Sequence, residues 1–267
     1  MPDAQPPVVL SITGSDSSGG AGLQADLKTY ERHGVFGTTA VSLLTAQNTV
    51  GVRRVEFVDP QFIVEQARAV LEDFPVAAIK TGSLGAGAAI RAVADLLDEL
   101  DLPVVTDPVL VSKHGDSLGD DEAVAAFAER LAPRATLITP NRHEAGRLVG
   151  RTLESIDDFQ AAAQELRARG TRWVLVTGAD RPGDGDAVDV LVGPDGERTF
   201  VHRRVDRPNV HGTGCALSAA VAARLAVGES VPVAVEKAIK YVVAAIEAGP
   251  DIGSGVRPLG FGVDPVP

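Results

Sequence analysis

Short apolar runs bounded by turn residues alternate along this chain with longer stretches whose apolar positions recur at helical spacing. Val8–Thr13, Val76–Ile79, Val104–Thr106, Thr136–Thr139 and Trp173–Val176 have strand length, and Ala40–Leu44 and Val52–Phe57 also read as β. Helical patterns lie between them at about Gly22–His33, Pro60–Asp73, Ala86–Leu100, Asp121–Leu131 and Ser155–Arg169. Strands that are continuously apolar have both faces covered, so this alternation predicts a parallel sheet between two helical layers. Val188–Val192 and Arg198–Val201, joined across Gly193–Glu197, predict an antiparallel hairpin. Helices at Thr213–Val227 and Val231–Ala248 follow, and the Gly/Pro-rich stretch from Gly249 to Pro267 is expected to be irregular. No linker or repeat interrupts 1–267, so the expectation is a single three-layer α/β/α domain with a mostly parallel central sheet.

Composition narrows the class. With 4% aromatic residues, the core must be built from Val, Leu, Ile and Ala. The single cysteine, Cys215, can form no internal disulfide, which fits a reducing compartment. The start is polar and proline-rich, and no segment approaches the ~20 apolar residues of a membrane span. The expectation is a cytoplasmic protein with no membrane partner. A formal charge of −11 argues against nucleic acid. An acidic enzyme acting on an anionic nucleotide must hold phosphate locally, with backbone N–H groups, a metal ion and a few placed cations. Of five lysines, Lys80 and Lys113 sit beside candidate loops.

In open parallel sheets, ligands bind outside the carboxyl ends of the strands. The loop Gly14–Gly22, followed by Gln24, Asp26 and Lys28, matches neither a Walker A loop nor the dinucleotide G-x-G-x-x-G spacing. It brings backbone close to a ligand or makes a tight strand-to-helix turn. Gln47, in Thr45–Thr49, offers one acceptor and two donors in one plane, matching the edge of an aminopyrimidine; the alternative is a surface glutamine. Asp107 ends a strand, and Asn141 and Glu144 share one face at the start of a helix. Asp107 and Glu144 suit Mg²⁺ as hard oxygen ligands, direct or through water. Asn141 with Glu144 equally reads as a capping box. Small residues in His211-Gly212-Thr213-Gly214-Cys215, ahead of a long helix, expose N–H groups at its positive end and form an anion hole. Such a hole suits a transferring phosphoryl group. The same helix end is expected to lower the Cys215 pKa below its usual ~8.5. A papain-type nucleophile would need a paired imidazole, and an unreactive structural cysteine is the other alternative.

Together, Gly14–Lys28, Thr45–Thr49, Lys80-Thr81-Gly82, Asp107–Asp116, Thr139–Glu144 and His211–Ser218 resemble the hydroxymethylpyrimidine/phosphomethylpyrimidine kinases of thiamine biosynthesis, in the ribokinase-like superfamily. The resemblance spans about Val8 to Ala248. It implies ATP and Mg²⁺ as cofactors, a small pyrimidine substrate and a homodimer. It places Gly212, Thr213, Gly214 and Cys215 at the anion hole, with Cys215 where sugar kinases carry an aspartate base, and Lys113 in a loop closing near the phosphates. Asn141 and Glu144 match the Mg²⁺–phosphate motif, Asp107 the carboxylate near the metal, and Thr177 and Gly178 the nucleotide side. Ala21, Asp26, Gln47, Ser83 and Val109 fall at pocket positions. Three features depart from the family pattern. Ser83 replaces the usual methionine, Thr177-Gly178-Ala179-Asp180 the usual Lys-Gly-Gly-His, and Gly253–Pro258 a His- and Gly-rich end. The reaction implied is phosphorylation of 4-amino-5-hydroxymethyl-2-methylpyrimidine and then of its monophosphate. Pyridoxal or pyridoxine kinase is the alternative within the superfamily, and a non-catalytic binding protein on the same fold is the alternative outside it. A dinucleotide oxidoreductase is disfavoured by the glycine spacing.

Overall fold

The computed structural model describes residues 5–110, 120–178, 185–205, 207 and 210–266. One sheet runs through them in the order β3-β2-β1-β4-β5-β6-β7-β8-β9. Its strands are β1 (Val8–Asp16), β2 (Phe36–Asn48), β3 (Gly51–Phe57), β4 (Val76–Thr81), β5 (Val104–Thr106), β6 (Leu137–Ile138), β7 (Trp173–Val176), β8 (Ala187–Gly193) and β9 (Gly196–His202). The α-helices are α1 (Gly22–Arg32), α2 (Pro60–Asp73), α3 (Gly87–Asp98), α4 (Asp121–Ala126), α5 (Arg142–Val149), α6 (Ile156–Ala168), α7 (Thr213–Ala226) and α8 (Val231–Glu247). Pairings from β2 through β7 are parallel. The antiparallel ones, β2–β3, β7–β8 and β8–β9, lie at the two margins.

The apolar runs of the inner strands feed two cores because successive side chains face opposite ways. Leu10 and Ile12 enter the core covered by α2 to α6, whereas Val9 enters the one covered by α1, α7 and α8. α7 is built largely of buried alanine, including Ala216, Ala219, Ala220 and Ala223. Small side chains let it lie close on the sheet, which carries its N-terminus in beside the strand ends.

Four local differences from the sequence expectation matter. β1 continues through Gly14 to Asp16, with a register shift between Thr13 and Ser15. β2 runs to Asn48, so Gln47 is a strand residue opposite Val52 rather than part of a loop. Between β8 and β9, Gly193 pairs with Gly196, leaving a two-residue turn, Pro194-Asp195. After α4 the backbone widens into a π-turn over Phe127–Leu131, with Phe127 and Leu131 both buried. Among the described residues the segment after α8 has no helix, yet it is fastened: Val256 N–H donates to Thr49 O at 2.7 Å and Gly260 N–H to Ala245 O at 2.8 Å.

Candidate active site

The glycine-rich loop after β1 is organised by a carboxylate that sequence reasoning missed. Asp16 Oδ1 accepts from Ser18 N–H at 2.8 Å, and Oδ2 accepts from the N–H groups of Gly20 and Ala21 at 3.1 and 2.8 Å. The Ser18 hydroxyl donates to it as well, at 2.7 Å. Burial pushes the Asp16 carboxyl up, but His211, Ser18 and the Ala21 N–H outweigh it and hold it at about 2. The charged aspartate folds the loop around itself, and Ala21 serves there as backbone donor and N-cap of α1. The signal available beforehand was an Asp followed by Ser-Ser-Gly-Gly, an Asx-turn pattern.

The folded loop lies against the start of α7. Gly212 caps that helix at φ 88°, and a side chain there would overlap the carbonyl oxygen of Gly20. The first helical bond is Ala216 N–H to Gly212 O at 2.9 Å, so the preceding N–H groups of Thr213, Gly214 and Cys215 belong to the open helix end. Gly214 is exposed and Thr213 half-buried. This arrangement can hold an anion by backbone and dipole alone. Cys215 behaves differently from expectation. Burial pushes its thiol up, Asp107 and Asp26 add to this against the pull of Lys80, and the outcome is about 12. Cys215 is half-buried, and the direction of the shift, opposite to the expected one, favours the thiol over the thiolate.

Asp26 is completely buried, takes Lys80 Nζ at 2.8 and 3.0 Å, and accepts the Ser11 hydroxyl at 2.8 Å. Burial would push the Lys80 ammonium down, but Asp26 reverses this and raises it to about 12. Lys80 is therefore a fixed positive charge beneath the site, and Asp107 and Cys215 both feel it.

The two carboxylates expected at a metal grip one strained turn. Val109 has φ 43°, rare for a β-branched residue. Asp107 accepts its N–H, and Glu144 Oε1 accepts the next one, from Leu110, at 3.2 Å. Glu144 Oε2 takes Asn141 N–H at 3.0 Å, while Asn141 Oδ1 accepts from His143 and Glu144 N–H, completing a capping box. The capping alternative is the one formed, and it ties α5 to the turn after β5. Burial pushes the Asp107 carboxyl up to about 6 against the pull of Lys80. Among the described residues no group of three or more His, Cys, Asp or Glu could hold a metal by itself. The donor set fits a hard ion only where most ligands are water and phosphate oxygen, the usual condition for Mg²⁺ beside a nucleotide.

Asn141 and Thr177 are brought together by a β-bridge. Gly178 N–H donates to buried Asp189 at 2.9 Å, and Asp189 in turn meets His202 Nε2 at 3.0 Å. The three residues expected on the nucleotide side thus share one end of the sheet. Lys113 lies outside the described residues, as do Ala179 and Asp180. Val109 lines a narrow apolar crevice with Gly82, Gly85 and Pro108. Ser83, next to Gly82, accepts the Ser42 hydroxyl on its backbone oxygen at 2.6 Å. A separate cavity of about 120 Å³ lies between the glycine-rich loop and the C-terminal segment, lined by Ser18, Gly20, Thr49, His211, Ile252 and Val256 among others. Gln47 reaches its wall, with Nε2 3.0 Å from His211 Nε2. Parallel strand ends converging on an open helix N-terminus, above a buried positive charge, define an α/β phosphotransferase.

The comparisons agree and go further. The family model for phosphomethylpyrimidine kinase matches residues 16–260. The chain is 43% identical over 261 residues to the hydroxymethylpyrimidine/phosphomethylpyrimidine kinase of Streptomyces coelicolor, covering 98% of this chain and 96% of that one. An ADP complex of Bacillus subtilis pyridoxal kinase superposes with a TM-score of 0.87 at 36% identity, covering 96% and 97% of the two chains. The phosphomethylpyrimidine kinase from Clostridium difficile superposes with a TM-score of 0.80 at 36% identity, covering 90% and 99%. The chain belongs to the phosphomethylpyrimidine kinase family.

Proposed function

We propose that the chain transfers the γ-phosphoryl group of ATP to the hydroxymethyl oxygen of 4-amino-5-hydroxymethyl-2-methylpyrimidine, and then phosphorylates the resulting monophosphate. The observation that carries this reading is the contact between Gln47 and His211, the residue next to Gly212. A ring paired on Gln47 projects its hydroxymethyl arm toward the open end of α7. The N–H groups from Thr213 to Cys215 oppose the negative charge on the phosphoryl in flight, and Lys80 adds a fixed positive charge beneath them. The Cys215 thiol, uncharged, adds no repulsion to the incoming phosphate. Asn141, Thr177 and Gly178, gathered at one end of the sheet, would meet the nucleotide. Mg²⁺ would supply charge neutralisation on the phosphates; Asp107 and Glu144 would meet it chiefly through water. Product analysis tests the sequence of steps. Mass spectrometry should find the monophosphate first and the diphosphate later, and a reaction that stops at the monophosphate would contradict the second step.

A second reading, phosphorylation of pyridoxal, is favoured by the close superposition on the Bacillus subtilis pyridoxal kinase and by Ser83 beside Gly82. Competition between the two rings decides it. Exposed Leu44, Val50, Val52 and Phe57 on the β2–β3 hairpin support a homodimer, testable by light scattering. Among the described residues no helix is long and apolar enough to cross a membrane. One free cysteine and the need for ATP fit the cytoplasm.

A further inference from the structure

We infer that His211 is a specificity-determining residue, because it locks the side-chain amide of Gln47 in one of its two orientations and so fixes which donor–acceptor edge the pocket reads. The inference rests on the proposed pairing of Gln47 with the substrate ring. Both backbone groups of Gln47 are already held: its N–H donates to Ser17 Oγ at 2.8 Å, and its carbonyl accepts the same hydroxyl at 2.7 Å. The freedom left is rotation of the side chain and the half-turn that exchanges Oε1 and Nε2. Among the described residues, the group within hydrogen-bond reach of that amide is His211 Nε2, at 3.0 Å.

His211 is itself a fixed reference. Its N–H donates to Arg257 O at 2.8 Å, and its ring edge lies against Gly20, where an added Cβ would come within 3.3 Å of Cδ2. Asp16 Oδ2 lies 3.6 Å from Nε2 on the other side, so the ring is held between the loop carboxylate and Gln47. The amide and Nε2 must meet as one donor and one acceptor, so the ring selects which end of the amide faces it. Turning the amide over would set donor against donor or acceptor against acceptor. With one orientation excluded, Gln47 presents a donor and an acceptor in fixed places. That suits a ring with an unprotonated nitrogen beside an exocyclic amine and opposes one with the pattern reversed.

The 4-oxo analogue of the substrate has the reversed edge, a ring N–H beside a carbonyl. The measurement is the ratio of kcat/KM for the amino ring over the oxo ring, which cancels any general damage to the nearby anion site. His211→Phe keeps the ring shape and removes the hydrogen-bond partner of the amide; the ratio should fall at least tenfold. His211→Gln returns a polar group near Nε2 and should restore most of it. His211→Asn is too short and should not, and this pair carries the test if the phenylalanine variant fails to fold. A wild-type ratio in both His211→Phe and His211→Asn overturns the inference. Gln47→Ala separates the two claims. If it collapses the ratio while the His211 variants keep it, only the inference falls. If it leaves the ratio unchanged, the ring is not read by Gln47, and both fall together.

Discussion

Lys80 Nζ lies 2.8 Å from Asp26 Oδ2, and neither side chain has any exposed surface. The pair joins β4 to α1 under the catalytic loops. Removing one partner leaves an uncompensated buried charge, so Lys80→Met or Asp26→Asn should each lose about 3–5 kcal/mol in urea unfolding. Replacing both with apolar residues, as in Lys80→Met/Asp26→Leu, should recover much of that. Single variants as stable as wild type would show that the pair is not closed.

Asp16 gives the fold a measurable acid sensitivity. Its carboxyl is held at about 2, below its ordinary value of 3.8. A depressed folded-state value stabilises the fold above the unfolded pKa and loses that stabilisation as pH falls through the folded one. Relative to Asp16→Asn, wild type should be favoured by about 2 kcal/mol at neutral pH. The advantage should fade between about pH 4 and pH 2. A difference that stays flat through that window would mean the carboxylate does not organise the loop.

The elements were legible because their signals are local. Continuous apolar runs such as Trp173–Val176 mark buried strands, and Pro60–Asp73 came out with the boundaries expected. The anion site was legible for the same reason, since a glycine-bordered helix start is written in five consecutive residues. What could not be read are pairings between distant positions: Lys80 with Asp26, Gln47 with His211, and the tail with Thr49. Asp26 was placed at a pocket position by the resemblance, and its burial could not be read from the loop-to-helix segment around it. Only the sheet order, bringing β4 beside β1, buries it against a lysine. The direction of the Cys215 shift was missed for a related reason: a helix end is visible in sequence, but the depth at which α7 packs is not.

Cys215 now has a sharper test. With the thiol at about 12, thiolate at pH 8 is about one part in 10⁴, so iodoacetamide should label it far more slowly than a free cysteine. Cys215→Ser should then cost less than tenfold in kcat, where loss of a general base costs ~10²-fold or more. Gly214→Val should be much worse, because a Cβ at that position already comes within 3.3 Å of Asp107 Oδ2. Rapid labelling with an apparent pKa below 8.5, together with collapse of Cys215→Ser, would return the cysteine to the role of base.

Glu144→Gln separates bracing from metal chemistry. Its amide would point a donor at either Leu110 N–H or Asn141 N–H, where the carboxylate now accepts both. The expected cost is about 1–2 kcal/mol of stability, the scale of a lost buried hydrogen bond. If Glu144 also meets Mg²⁺ through water, the concentration of Mg²⁺ giving half-maximal activity should rise as well. Loss of stability with an unchanged Mg²⁺ titration would leave Glu144 with the fold alone.

The central claim, phosphoryl transfer to a hydroxymethylpyrimidine, is tested most directly by coupled ADP release with Mg·ATP and four acceptors offered separately. These are the pyrimidine, its monophosphate, pyridoxal and ribose. The account predicts release with the first two, weaker release with pyridoxal and none with ribose. Release greatest with pyridoxal, or binding of the pyrimidine with no ADP released, would contradict it.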